Sequence, residues 1–186
     1  MKDYIIITPK EWGPLFWNFL HSIPDSLTKD NVCYFNAMFK KLSYVIPCNV
    51  CKEHYDKFID EKRLEMRNIT KTKMKKWILQ LHNSVNLKLG KKEFTFQESN
   101  KVHKKINDTK FLNLLNYIIK KALQDKISVF RFLNFMVFFE VISDIYPNKK
   151  LRERFKDINK LEISDIKELD NWFKNCLKYR KEYFGD

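Results

Sequence analysis

Apolar residues recur along this chain at intervals of three and four, the pattern of helices with one buried face. Phe16, Trp17, Phe19, Leu20 and Ile23 make the first stripe, with Pro9 and Pro14 flanking its start and Pro24 closing it. A second predicted helix spans 31–45 on Tyr34, Phe35, Met38, Phe39, Leu42 and Val45, and Pro47 breaks it. A third starts at about Cys48 and runs to Glu61, and the polar stretch 62–71 reads as a loop. The fourth covers 72–89, with Trp77, Ile78, Leu81, Val85 and Leu89 inward and Gly90 as its stop.

The pattern resumes after a boundary placed at 105–108. Asp108 is positioned to cap a helix through Leu123, and a strongly apolar helix follows over 128–145. Arg131, Asn134, Glu140 and Asp144 lie within that apolar run, which argues for a buried helix rather than a membrane span. A short charged helix is predicted at 150–156, and a last one from a Ser164 cap to Tyr183.

The two parts echo each other. A shift of 100 aligns Phe35, Phe39, Ser43 and Pro47 with Phe135, Phe139, Ser143 and Pro147. A shift of 95 aligns Trp77 and Gly90 with Trp172 and Gly185. Two readings stay open: coincidence among Phe-rich helices, or a second, degenerate bundle. Under the second, Asn148 and Leu151 stand where Cys48 and Cys51 do, so that copy could carry no dithiol.

Composition sharpens this picture. Three Gly and five Pro in 186 residues leave little material for the tight turns of a sheet, so the predicted class is all-α. A hydrophobic share of 44%, with 16 Phe, supports a packed core and excludes disorder. The net charge of +13 is spread along the chain: 20 basic and 11 acidic residues in 1–105, then 16 and 12 in 106–186. Lysines scattered over helix faces read as solvated surface, which weakens the case for nucleic acid but would draw an anionic cofactor or partner. The first ten residues are too short for a secretory signal, so an intracellular protein is expected.

The chemistry gathers in three segments. Trp12 to His21 holds Gly13, Trp17 and His21; Pro47 to Tyr55 holds Cys48, Cys51 and His54; Trp77 to Lys91 holds His82, Asn83, Val85, Asn86, Lys88 and Lys91. At a helix start, cysteines three apart lie on one face, and the helix N-terminus stabilises a thiolate, the form that attacks disulfides. Aromatic and amide groups on two helices could enclose a flat ring system, and Lys88 and Lys91 could meet a pyrophosphate. No Gly-rich dinucleotide loop exists, which excludes a Rossmann site. Zinc held by Cys48, Cys51 and His54, with His82 or His21 as fourth ligand, is the main alternative for the C-x-x-C. Two Asn inside one helix are locally unfavourable and suggest specific partners.

Together the three segments resemble the Erv/ALR sulfhydryl oxidases over about residues 12–103. The resemblance implies a four-helix bundle with a short fifth helix binding FAD, over 1–105, followed by a helical region without a redox motif over 106–186. It implies that Cys51 lies against the isoalloxazine and Cys48 faces the incoming thiol. It further implies that Gly13, Trp17, His21, His82, Asn83, Val85, Asn86, Lys88 and Lys91 line the FAD site, with His54 from a C-x-x-C-x-x-H pattern. Val102 and His103 stand where relatives often carry Arg-Trp against the flavin, which assigns His103 to the cofactor. Asp60 and Leu79 replace a structural disulfide of some members. No shuttle cysteine pair is present, and Cys33 and Cys176 are expected to be small buried hydrophobes. The implied partners are a protein dithiol, such as a thioredoxin-like carrier, and O2, which leaves as H2O2. Family members commonly form homodimers, and no membrane is implied. The extra helical region is similar to that of oxidases of large DNA viruses, for which host cytoplasm or virion would be the location. The alternative class is a non-enzymatic helical module that binds zinc or nucleic acid.

Overall fold

The computed structural model describes residues 8–103, 106–125 and 127–158, together with 167, 168, 171, 174, 175, 178, 181 and 182. Among the described residues the elements are all helical: α1 (Pro9–Ser22), a 3-10 turn (Ile23–Ser26), α2 (Val32–Val45), α3 (Asn49–Glu61), α4 (Lys71–Lys88), α5 (Phe96–Val102), α6 (Asp108–Gln124), α7 (Val129–Ile145) and α8 (Lys149–Ile158). No helix among them is long and apolar enough to cross a membrane.

Local chemistry sets most boundaries. Thr70, Thr95 and Ser128 each accept a backbone N–H from three residues on, satisfying donors that a helix start leaves open. Glu98 returns the bond to the Thr95 N–H, completing a capping box for α5. Gly90, at φ 65°, takes the left-handed conformation that ends α4. Two sequence expectations shift. Helix α1 runs from Pro9 through Pro14 instead of starting between them. Asn107, not Asp108, caps α6; the Asp108 carboxylate instead accepts from the Tyr146 hydroxyl and the Asn148 amide, at 2.9 and 3.0 Å. The helix expected over 164–183, with Trp172, Cys176 and Gly185, falls largely outside the described residues.

One continuous core joins α1, α2, α3 and α4 to α6, α7 and α8. Phe19 of α1 stacks on Phe111 of α6 at 4.5 Å, and Tyr146 packs beside both rings. Helix α7 lies along α2 in the opposite direction. Its far end meets the turn before α2, where Ser26 Oγ donates to the Ile145 carbonyl at 2.7 Å. Its near end meets the last turn of α2, where Phe130 packs edge-on to Tyr44. Phe35, Phe39, Phe135, Phe138 and Phe139 are all buried in this contact region. Truncating any one to Ala would cost about 3–5 kcal/mol.

The offset of 100 reappears in the backbone. Helices α2 and α7 end at Val45 and Ile145, and α3 and α8 begin at Asn49 and Lys149. Even the cap repeats: Cys48 Sγ accepts the N–H of Cys51 at 3.3 Å, and Asn148 Oδ1 accepts the N–H of Leu151 at 3.3 Å.

Cys33 departs from expectation. It is exposed on the first turn of α2 instead of buried. The apolar neighbours Val32, Tyr34 and Phe35 suggested a buried context, but adjacent residues on a helix point to different faces. Twelve residues separate it from Val45 at the other end of α2, about 18 Å of helix.

Candidate functional site

Cys48 is the N-cap of α3 and is joined to Cys51 by a disulfide, with Cα atoms 5.2 Å apart. The extended backbone that Pro47 imposes on its predecessor ends α2 and presents Cys48 at a helix start. Helix α3 is locked onto α2 by Tyr55, whose buried hydroxyl donates to the Phe39 carbonyl at 2.7 Å. Burial, and then the nearby Asp56, push that phenol well above its usual pKa, so it stays a donor. In the disulfide the two sulfurs are bonded to each other, which is the oxidised form of a redox pair.

A cleft of about 800 Å³ opens beside the disulfide. Cys48, Cys51, Gly13, Trp17, His54, His82, Val85, Asn86, Lys88, Lys91 and His103 all border it. Its inner edge continues into a small apolar recess of about 70 Å³, shared by Cys51, Gly13, Trp17, His54 and Val85 and closed by Phe16, Leu42 and Leu81. The volume lies within the range of about 300–1,000 Å³ usual for small-molecule sites. A methyl added at Gly13 would meet nothing within 4 Å, so this helix position leaves open space on the cleft side.

Four aromatic side chains organise the inner end. Trp17 stacks on His82 at 4.0 Å, and His21 stacks on His103 at 4.3 Å. His21 Nε2 and His82 Nδ1 lie 3.1 Å apart, and the Ser99 hydroxyl lies 3.2 Å from His21 Nδ1. A chain in which Ser99 donates to His21 and His21 donates to His82 keeps both imidazoles neutral. Burial first, then the neighbouring histidines and Lys75, lower the His21 pKa to about 3. Burial, then His103 and Lys91, bring His82 to about 3 as well. Burial also lowers His103, while His54 is lowered by partial burial and by Lys88 and Lys57. The side-chain nitrogens of His21, His82 and His103 lie within 4.8 Å of one another, so neutral imidazoles able to ligate a cation or face a ring are concentrated here.

The arrangement carries unfilled bonding capacity. Asn18 Oδ1 lies 2.8 Å from His103 Nδ1 and can only accept, so Nδ1 carries the proton. Nε2 of His103 is then a bare acceptor, buried and without a partner. A group with a flat aromatic face and N–H donors fits such a wall. Lys88 and Lys91, close to the C-terminal end of α4, supply positive charge at the rim.

Two of the sequence candidates sit differently. Asn83 does not border the cleft; its amide donates to the Phe94 carbonyl at 2.8 Å and accepts the Phe94 N–H at 2.9 Å. It clamps the segment that carries Phe94 against His82 and His103. His21 stands behind His82 and borders a neighbouring polar cavity with Ser99 and His103. Phe94 and Ser99 went unread in the sequence. The Thr95–Glu98 capping spacing is the signal that would have placed the start of α5, and with it the Ser99 that meets His21.

Helices, a cap disulfide and an aromatic cleft beside it define a helical thiol–disulfide protein. The chain belongs to the Erv1 / Alr family, whose sequence profile matches residues 14–111. It is 28% identical over 98 residues to a probable FAD-linked sulfhydryl oxidase of Acanthamoeba polyphaga mimivirus, covering 50% of this chain and 68% of that protein. It is 33% identical over 94 residues to a putative FAD-linked sulfhydryl oxidase of Invertebrate iridescent virus 6, covering 46% and 85%. It is 28% identical over 92 residues to the mitochondrial FAD-linked sulfhydryl oxidase of Saccharomyces cerevisiae, covering 46% of each. No solved structure matches the chain.

Proposed function

We propose that this protein is an FAD-dependent thiol oxidase that converts protein dithiols to disulfides at Cys48–Cys51. The reading is carried by one arrangement: both cysteines of the disulfide border the cleft, and Cys51 alone also reaches the inner recess. A thiol arriving from outside and an acceptor held within can therefore use different sulfurs of one bond.

A substrate thiolate attacks Cys48 Sγ, forming a mixed disulfide and releasing Cys51 as thiolate. A second substrate thiolate attacks the substrate sulfur of that mixed disulfide and releases Cys48. The substrate loses two electrons and two protons and gains a disulfide, and the Cys48–Cys51 pair gains the electrons. The α3 N-terminus and the Cys51 N–H stabilise the Cys48 thiolate. Trp17, His82, Asn86 and His103 would hold the ring systems of FAD, with Lys88 and Lys91 toward its pyrophosphate and Val85 and His54 along the walls. FAD, when bound, supplies the two-electron acceptor and the route to O2, with H2O2 as product. His21 and Asn83 act one layer back, through His82 and through Phe94.

The same reading extends to the second half. The shared end of α2 and α7, the shared start of α3 and α8 and the matching cap bond, all at an offset of 100, support a degenerate copy of the first bundle. With Asn148 and Leu151 in place of cysteines, the copy keeps the scaffold and not the chemistry.

The experiment is direct. Purified protein should be yellow with flavin absorption bands, and should consume O2 and produce H2O2 when given a reduced protein thiol. A colourless protein that leaves thiols untouched would refute the proposal.

A further inference from the structure

The first turn of α7 leaves three large apolar side chains in solvent. Val129, Phe130 and Leu133 are 74%, 65% and 55% exposed, whereas Phe135, Phe138 and Phe139 further along the same helix are buried. Spacings of three and four place them on one face. Contiguous exposed apolar groups of this size mark contact surfaces.

Their position is set by the antiparallel packing of α7 on α2, which brings this turn to the end of α2 that leads into Cys48. The Phe130 ring centroid lies 5.7 Å from that of Tyr44. Lys52 Nζ lies 5.8 Å from the same Tyr44 ring, and the Lys52 N–H donates to the Cys48 carbonyl at 2.9 Å. Four residues separate Tyr44 from Cys48, at most about 14 Å of chain. A protein that brings a thiol to Cys48 Sγ covers roughly 800 Å² on each side of the contact, a disc about 16 Å in radius. The Tyr44 backbone falls inside such a footprint, and Phe130, packed on the Tyr44 ring, extends the same surface. A small thiol needs only the sulfur and would never touch them. Lys41, 5.9 Å from the Tyr44 ring centroid, and Arg131, beside Phe135, add positive charge around the apolar face.

We propose that Phe130 and Leu133, from the half without a redox centre, form a docking ledge for the protein thiol substrate, recognising an apolar patch with an acidic rim next to its reactive cysteine. This rests on the thiol-oxidase reading above. The second half thereby selects which thiols reach Cys48.

The test compares two substrates on the full-length, flavin-loaded protein: dithiothreitol, and a reduced thioredoxin-fold protein with an acidic surface. The exposed double variant Phe130→Ser/Leu133→Ser should keep the wild-type melting temperature and turn over dithiothreitol as before. Its kcat/KM for the protein thiol should fall about ten-fold, carried by KM, as loss of a contact hot spot requires. Phe130→Tyr alone should retain protein-thiol turnover. Equal losses on both substrates, or no loss on either, would overturn the ledge. So would a variant with unchanged protein-thiol kinetics that turns a dimer into a monomer or no longer binds anionic phosphatidylserine vesicles, since the face would then serve another occupant. Wild-type protein that oxidises dithiothreitol but no protein thiol defeats the ledge alone. Wild-type protein that oxidises neither defeats the oxidase reading, and the ledge with it.

Discussion

Acid should loosen the histidine end of the cleft before it affects the rest of the bundle. His21 and His82 are held neutral, with pKa values lowered to about 3, whereas an unfolded histidine titrates near 6.5. Between those two values the unfolded chain binds protons that the folded chain does not, so stability falls as the pH falls through that window. Above the unfolded value both states are neutral and the full stability is present. From about pH 8 to about pH 5, each histidine should remove about 2 kcal/mol, or about 4 kcal/mol for the pair. For a chain of this size that corresponds to a drop of roughly 8–16 °C in melting temperature. The assay is thermal denaturation of flavin-free protein across this range, for wild type and His82→Gln, which keeps a hydrogen-bonding side chain without the titration. The variant should lose about half of the acid-induced drop. Equal drops in the two proteins, or an NMR titration of the His82 ring near its ordinary pKa in the folded state, would refute the reasoning.

Cys48→Ser and Cys51→Ser should each abolish steady-state thiol oxidation; the Cys48 variant should still bind flavin and show a long-wavelength charge-transfer band, because Cys51 also reaches the inner recess. Asn86→Ala should weaken flavin retention by about 1–3 kcal/mol, read as the dissociation constant from equilibrium dialysis. Asn83→Ala removes both bonds to the Phe94 backbone and should cost about 1–3 kcal/mol in denaturant unfolding, with a smaller effect on flavin affinity than Asn86→Ala. Cys33→Ala should leave turnover of both small and protein thiols unchanged, since Cys33 lies near the opposite end of α2 from the disulfide.

The parts of the site legible in the sequence are those set by spacing along one helix. Cys48 and Cys51 at a helix start, and His82 with Asn86 one turn apart, read directly from intervals of three and four. What the sequence could not display is convergence between elements. His21, His82 and His103 come from α1, α4 and the end of α5, and only the packed bundle brings their rings together. Asn83 illustrates the same limit from the other side: its position in the motif reads as a pocket residue, but its partner is the backbone of Phe94, eleven residues on. The cap of α6 moved by one residue because Asn107 and Asp108 are both good caps, and the tertiary bonds to Tyr146 and Asn148 engage the aspartate. The helix boundaries elsewhere follow the periodicity closely, since the apolar stripes and their caps are local.

Packing α7 along α2 within one polypeptide changes how the pairing responds to dilution. Two helices on one chain meet at an effective concentration fixed by the chain that joins them. Their association is therefore first-order and does not depend on how much protein a cell contains. A pair built from two identical chains would fall apart at low abundance and would carry the Cys48–Cys51 centre twice. Here the α2–α7 pairing persists at any abundance, and each chain carries one Cys48–Cys51 centre.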